Sequence, residues 1–282
     1  MNSFISKLSL GLTAAIIVAT IPLTGSAFAK STQSEEVYSY LKFAGYPNEV
    51  IAELDDAQKQ AIYNEKLVYS SHTKENNFAF ESAANTPQFS TFTTTGNWTR
   101  TLVASKVTTP TKGKNEFVLD YNWTWNNNPD FALMDKFGIA WSDDFDAYPE
   151  SAVYAYRATG YNSVRNETRD YSTGNVPGYK EWNSAAGVGW EYDIKDFFYY
   201  NNLSYVVNTH KGWGRIKIGK YSNKSGTTES TSAVGSYFHK YGAFTGTLSF
   251  SPAPSVSISY ATNYDKFADA GAAPFSWTNY NW

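Results

Sequence analysis

The 282-residue chain has no cysteine, two methionines and only three histidines, His72, His210 and His239. The first absence excludes disulfide stapling, thiolate nucleophiles, iron–sulfur ligation and thiolate zinc sites. The scarcity of histidine leaves no His-Glu-x-x-His zinc motif, and neither Gly-x-Ser-x-Gly nor a phosphate-cradling glycine loop occurs. No cofactor is therefore expected. Basic clusters are missing too: 23 Lys and Arg against 26 Asp and Glu give a net charge of −3. That balance argues against nucleic acid, or an anionic membrane, as an electrostatically captured partner.

Long apolar runs are absent beyond the N-terminus, so no transmembrane segment is expected in the mature chain. The N-terminus itself follows an export pattern. Lys7 precedes an apolar stretch from Leu8 to Ile21, and Ala27-Phe28-Ala29 forms an A-x-A-like cleavage site. Residues 1–29 read as a signal peptide, which predicts a secreted, extracellular protein.

Residues 30–71 read as a small helical prefix. Val37, Tyr40, Leu41 and Ala44 share one helical face, Thr32 or Ser34 offers an N-cap, and Gly45 a stop. Pro47 opens a second turn, and Asp55 with Gln58 makes a capping box for a third. Residues 72–96 lose periodicity and read as a linker. Residues 97–282 change to period two, as in Phe117, Leu119, Tyr121, Trp123 and Trp125, with turn signals between short aromatic runs. The fold class is mainly β: an antiparallel β-sandwich or barrel preceded by a small helical hairpin.

Aromatic residues make up 17% of the chain, and this excess is the main functional clue. Exposed Trp and Tyr faces pack on sugar rings while Asn, Asp and Thr meet hydroxyls, which makes Trp123, Trp125, Trp141 and Trp213 candidate ligand-binding platforms. Trp182 and Trp190 are further ones. The same residues equally suit the core and cross-strand pairs of a sheet. The acidic run Asp143, Asp144, Asp146 is a weak candidate for calcium, since it lacks the glycine and glutamate spacing of an EF-hand. No metal site is expected. His210 reads as lying at a turn. Between Phe244 and Tyr260, apolar residues alternate with Ser and Thr, as in membrane hairpins or in any sheet with one solvated face.

The segments Leu41-Lys42-Phe43-Ala44-Gly45-Tyr46-Pro47 and Asp56-Ala57-Gln58-Lys59-Gln60-Ala61 resemble uncharacterised exported proteins of Bacillus-type Gram-positive bacteria, as does the ending Ser255-Val256-Ser257-Ile258-Ser259. The resemblance implies location and no activity. The leading functional reading is a secreted non-catalytic β-domain that binds an extracellular ligand, with carbohydrate of the cell wall or envelope as the partner. The alternative is a membrane-active β-hairpin exotoxin or bacteriocin-like protein. A glycoside hydrolase is third.

Overall fold

The computed structural model describes residues 25–76, 98–126, 129, 133–142, 144–267 and 273–279. The helices are α1 (Gly25–Phe43), α2 (Asn48–Glu53) and α3 (Asp56–Glu65). The first strands are β1 (Leu67–Asn76), β2 (Trp98–Val107), β3 (Lys114–Trp125), β4 (Met134–Trp141) and β5 (Asp146–Asn162). There follow β6 (Glu167–Ser172), β7 (Val176–Pro177), β8 (Glu181–Asn183), β9 (Gly187–Asp193), β10 (Phe197–Tyr200) and β11 (Leu203–Tyr221). The last are β12 (Thr228–Lys240), β13 (Leu248–Ser251), β14 (Ser255–Ile258), β15 (Tyr264–Phe267) and β16 (Ala273–Thr278).

Every strand pair is antiparallel. The larger sheet runs β1-β2-β3-β11-β5-β6, with β10 beside β11 and β7 beside β5; the smaller runs β15-β12-β4-β9-β8, with β16 beside β12. The period-two alternation of β3 explains the layering. Phe117, Leu119, Tyr121 and Trp123 point inward to meet Phe137 and Ile139 of β4, Trp190 and Tyr192 of β9 and Tyr237 of β12. Trp98, Trp123 and Tyr192 form a stacked column with centroids 5.7 and 5.0 Å apart, and Tyr156 lies beside it, 5.3 Å from Tyr192 and 6.3 Å from Trp123. Each such contact adds about 0.5–1.5 kcal/mol beyond simple burial. The expected antiparallel architecture is the one observed.

Over β1, β2 and β3 the outer face of the larger sheet is covered by the helices. Val37, Leu41, Val50, Ile51, Leu54 and Ile62 of the helices pack with Val103, Val107 and Val118 of the sheet. Polar contacts fix the registry, since the Tyr46 hydroxyl donates to Ser105 at 2.7 Å and Gln58 Nε2 to Asp120 Oδ1 at 2.8 Å. Val37 to Trp282 thus belongs to one compact unit.

Several boundaries differ from the sequence reading. Helix α1 already runs from Gly25, so Thr32 and Ser34 lie within it rather than capping it. Helix α3 stops at Glu65 because Lys66 adopts left-handed backbone, φ 53°. Leu67–Asn76 is then a strand, not helix or linker, because pairing with β2 from Leu67↔Val107 to Asn76↔Thr99 outweighs its local pattern. The rest of the expected linker, from residue 77, and the signal segment up to residue 24 lie outside the described residues. Among the described residues no helix is long and apolar enough to cross a membrane. The Ser/Thr-alternating segment forms β13 and β14, four residues each. Crossing a bilayer takes about 9–11 residues per strand. Here the alternation reflects one-sided burial, with Leu248, Val256 and Ile258 packed on Ala140 and Phe238.

Candidate functional site

A cleft of about 420 Å³ opens where the helical cover ends on the outer face of the larger sheet. Its wall is the α2–α3 turn, Glu53 to Asp56 with Lys59; its floor is Asn122 and Thr124 of β3, Arg157 and Thr159 of β5, Asp170 of β6 and Thr209, Lys211 and Trp213 of β11. The capping box holds this wall in place. Asp55 accepts from the Ala57 amide at 3.0 Å while Gln58 Oε1 accepts from the Asp55 amide at 2.9 Å. Asp55 also takes the Arg157 guanidinium through both carboxylate oxygens, tying wall to floor. Lys74 pairs with Glu53 at 2.6 Å, and Thr159 donates to Asp170 at 2.7 Å. Glu53, Asp55, Asp56 and Asp170 face Lys59, Arg157 and Lys211, so the cleft is within one charge of neutral.

One row across the floor stands out energetically. Thr101 of β2 lies opposite Asn122 of β3, and Asn122 opposite Trp213 of β11. All three are at least nine-tenths buried. Thr101 Oγ1, Asn122 Nδ2 and Trp213 Nε1 have no hydrogen-bond partner among the described residues. A buried polar atom left unpaired costs about 1–3 kcal/mol. The three lie in register, and two of the residues, Asn122 and Trp213, line the cleft.

No protein-family model matches the chain, and no curated protein matches it. Weak likenesses exist among solved structures. Clostridium perfringens delta-toxin aligns at TM-score 0.30 and 7% identity over 75% of this chain and 87% of that one. The membrane-inserted form of the Clostridium perfringens NetB toxin aligns at 0.25 and 8% over 73% and 95%. The enzymatically active domain of bacteriophage CBA120 tailspike protein 4 aligns at 0.20 and 10% over 53% of this chain and 18% of that one. None of these scores reaches the level at which a shared fold is implied.

The tryptophans expected as platforms divide. Trp123, Trp125 and Trp141 are core residues, with exposures of 1%, 4% and 0%, so none offers a ring face to a ligand. Trp141 Nε1 is spent on the Phe145 carbonyl at 2.9 Å. For Trp123 and Trp125 the reason is parity, since the odd positions of β3 face inward. Trp213 faces the other way and lines the cleft, although it is itself only 5% exposed. Trp190 is buried, and Trp182 is half-buried against Tyr179 at 4.9 Å. Asp143 lies outside the described residues, while Asp144 and Asp146 are exposed. Among the described residues no three acidic or histidine side chains converge as metal ligands. Sequence marks Asp55 only as a helix cap and does not mark Asn122 or Thr101, though the polar positions inside the aromatic alternation of β3 are the available signal.

His210 is mid-strand in β11 and fully buried, not at a turn. The Tyr156 hydroxyl shares a hydrogen bond with His210 Nδ1 at 2.8 Å and accepts from the Lys195 amide at 3.2 Å. Burial, reinforced by His239, pushes the imidazole down from 6.5 to about 4. The unfolded chain therefore binds a proton that the folded one refuses. Stability is full above pH 6.5 and is expected to fall by about 3 kcal/mol as pH drops toward 4. Urea midpoints across that window test this, and His210→Gln should flatten the slope. Glu116 acts lower down: burial would raise its carboxyl, but hydrogen bonds from Lys217, Tyr148 and Thr111 outweigh it and hold it at about 2. Its contribution is present above pH 4.5 and lost as pH falls toward 2, so it begins only at the acid end of the histidine window.

Proposed function

We propose that this is an exported, non-catalytic binding protein whose cleft takes a neutral polyhydroxylated ligand, a glycan of cell wall or envelope. The observation that carries the reading is the buried row Thr101, Asn122 and Trp213 with its unpartnered polar atoms. Sugar hydroxyls both donate and accept, which suits an amide, an indole N–H and a threonine hydroxyl side by side. The near-neutral cleft suits an uncharged ligand better than a phosphate or a polyanion. Paired carboxylates and cations around the rim supply further partners for hydroxyls.

The test exploits the cost of unpaired groups. Asn122→Leu removes an orphaned donor while keeping bulk, so the free protein should be as stable as the parent or more so, whereas Trp213→Phe removes one together with some volume and should cost less than a truncation to Ala. Both variants should lose depletion from solution by insoluble chitin, cellulose or peptidoglycan sacculi, and salt should weaken the parent's retention little. Retention that survives both substitutions sinks the cleft as the binding site. Release of reducing ends during the incubation would instead mark a hydrolase.

A further inference from the structure

Beyond the cleft the larger sheet continues as an extension of β10, β11, β5 and β6, and its outer face is aromatic. A bulge between Val207 and Thr209 keeps the facing in step, so Trp213, Lys211 and Thr209 are followed outward by Val206 and Ser204. Register places Phe197, Val206, Tyr161 and Thr168 in one cross-strand row, with Tyr199 opposite Ser204 in the next. These apolar side chains are open to solvent: Phe197 49%, Val206 63%, Tyr161 38% and Tyr199 69%. Phe197 and Tyr199 meet edge to face at 5.5 Å.

The row is held by what lies beneath it. On the inner side Phe198 stacks on Tyr205 at 5.5 Å, nearly parallel, and a Cβ on Gly160 would come within 2.8 Å of the Phe198 ring. Asn201 and Asn202 close the β10–β11 hairpin with φ of 48° and 63°. That tight turn fixes both rings of β10 relative to β11. A rigid row of exposed rings plays no part in the core, and such a patch marks an interaction surface.

We infer that the outer face is one saccharide-binding track, with the cleft at its closed end and Phe197, Tyr199 and Tyr161 as stacking positions at its open end. The inference rests on the reading of the cleft as a glycan site. Continuity along β11, roughly 30 Å from Trp213 to Ser204, calls for a chain of sugars rather than one. Hydroxyl and carboxylate groups flank the rings on the same face, from Thr168, Ser204, Thr159 and Asp170. The ring row itself, Phe197, Val206, Tyr161 and Thr168, carries no basic side chain that would select a phospholipid headgroup.

The experiment compares the disaccharide and hexasaccharide of the chitin and cellulose series by calorimetry on the full chain. The hexasaccharide of one series should bind about tenfold or more tightly than its disaccharide, a gain of about 1.4 kcal/mol. Phe197→Ser with Tyr199→Ser should erase that gain, leave disaccharide binding unchanged and leave the melting temperature in place. Tyr199→Thr alone, at the most exposed ring, gives the same direction if the double variant folds poorly. Equal affinity for both lengths overturns the track and leaves the cleft standing. Binding of neither length overturns both readings. Partition into phosphatidylcholine vesicles that the double variant abolishes, without any chain-length gain, assigns the row to a lipid surface and overturns the track.

Discussion

Trp123→Ala is expected to cost about 3–5 kcal/mol, a large share of the about 5–15 kcal/mol by which a domain is ordinarily stable. The ring is 1% exposed and lies in the column between Trp98 and Tyr192. The floor beneath it is Gly212, where even a Cβ would come within 2.2 Å of the indole. The glycine has no side chain with which to fill the space left behind. Flanking rings belong to both sheets, so they cannot close the gap without shifting strands. The cavity would persist, and cavity volume sets the cost of such truncations. Gly212→Ala should be damaging for the mirror reason, since its Cβ drives the same ring out of the stack. Denaturant midpoints for Trp123→Ala and Trp213→Phe make the contrast direct. A cost near zero for Trp123→Ala would show that the column does not hold the sheets together.

That contrast also shows how far the sequence could be read. Period-two alternation from Phe117 to Trp125 made the sandwich legible, since alternation is a local property of a sheet with one buried face. Facing is not local. Nothing in Tyr121-Asn122-Trp123 says which parity meets the second sheet, so the conspicuous tryptophans suit surface or core alike in sequence, while the plain Asn122 lines the cleft. The helical prefix was legible through Gly45, Pro47 and the Asp55–Gln58 capping box. Its part in the site was not, because Asp55 reaches Arg157 across 102 residues. Strand β1 was hidden for the same reason. Tyr69-Ser70-Ser71-His72-Thr73 has no apolar alternation, and only the edge of β2 makes it a strand. The run Phe197-Phe198-Tyr199-Tyr200 followed by Asn201-Asn202 carried a hairpin signal in plain view, yet the split of its rings between two faces is visible only in register.

Asp120→Ala is expected to cost about 3–5 kcal/mol and to abolish ligand binding, although Asp120 is not part of the cleft lining. The carboxylate is fully buried between sheet and helices. It accepts from Gln58 Nε2 at 2.8 Å and pairs with the Arg215 guanidinium at 3.0 and 3.2 Å. Arg215 is 5% exposed, and its remaining carboxylate, Glu65, is a longer contact at 3.4 Å. Removing the acid leaves a buried cation without its main partner and a buried amide without its acceptor. An ion pair broken on one side costs far more than the pair is worth. Asp120→Leu combined with Arg215→Met removes both charges and should recover most of the loss, because the desolvation penalty disappears with them. The functional consequence runs through Gln58. The same side chain that reaches Asp120 caps α3 beside Asp55, so losing its anchor frees the α2–α3 turn that walls the cleft. Hydrogen exchange should show α3 amides opening early in Asp120→Ala, before the strands of the sandwich. Binding should fail in that variant even under conditions where its sheets remain folded. Should the single variant keep both its α3 protection and its ligand, the helical cover is held by its apolar contacts alone, and the polar bridge from Gln58 to Arg215 does not set the shape of the cleft.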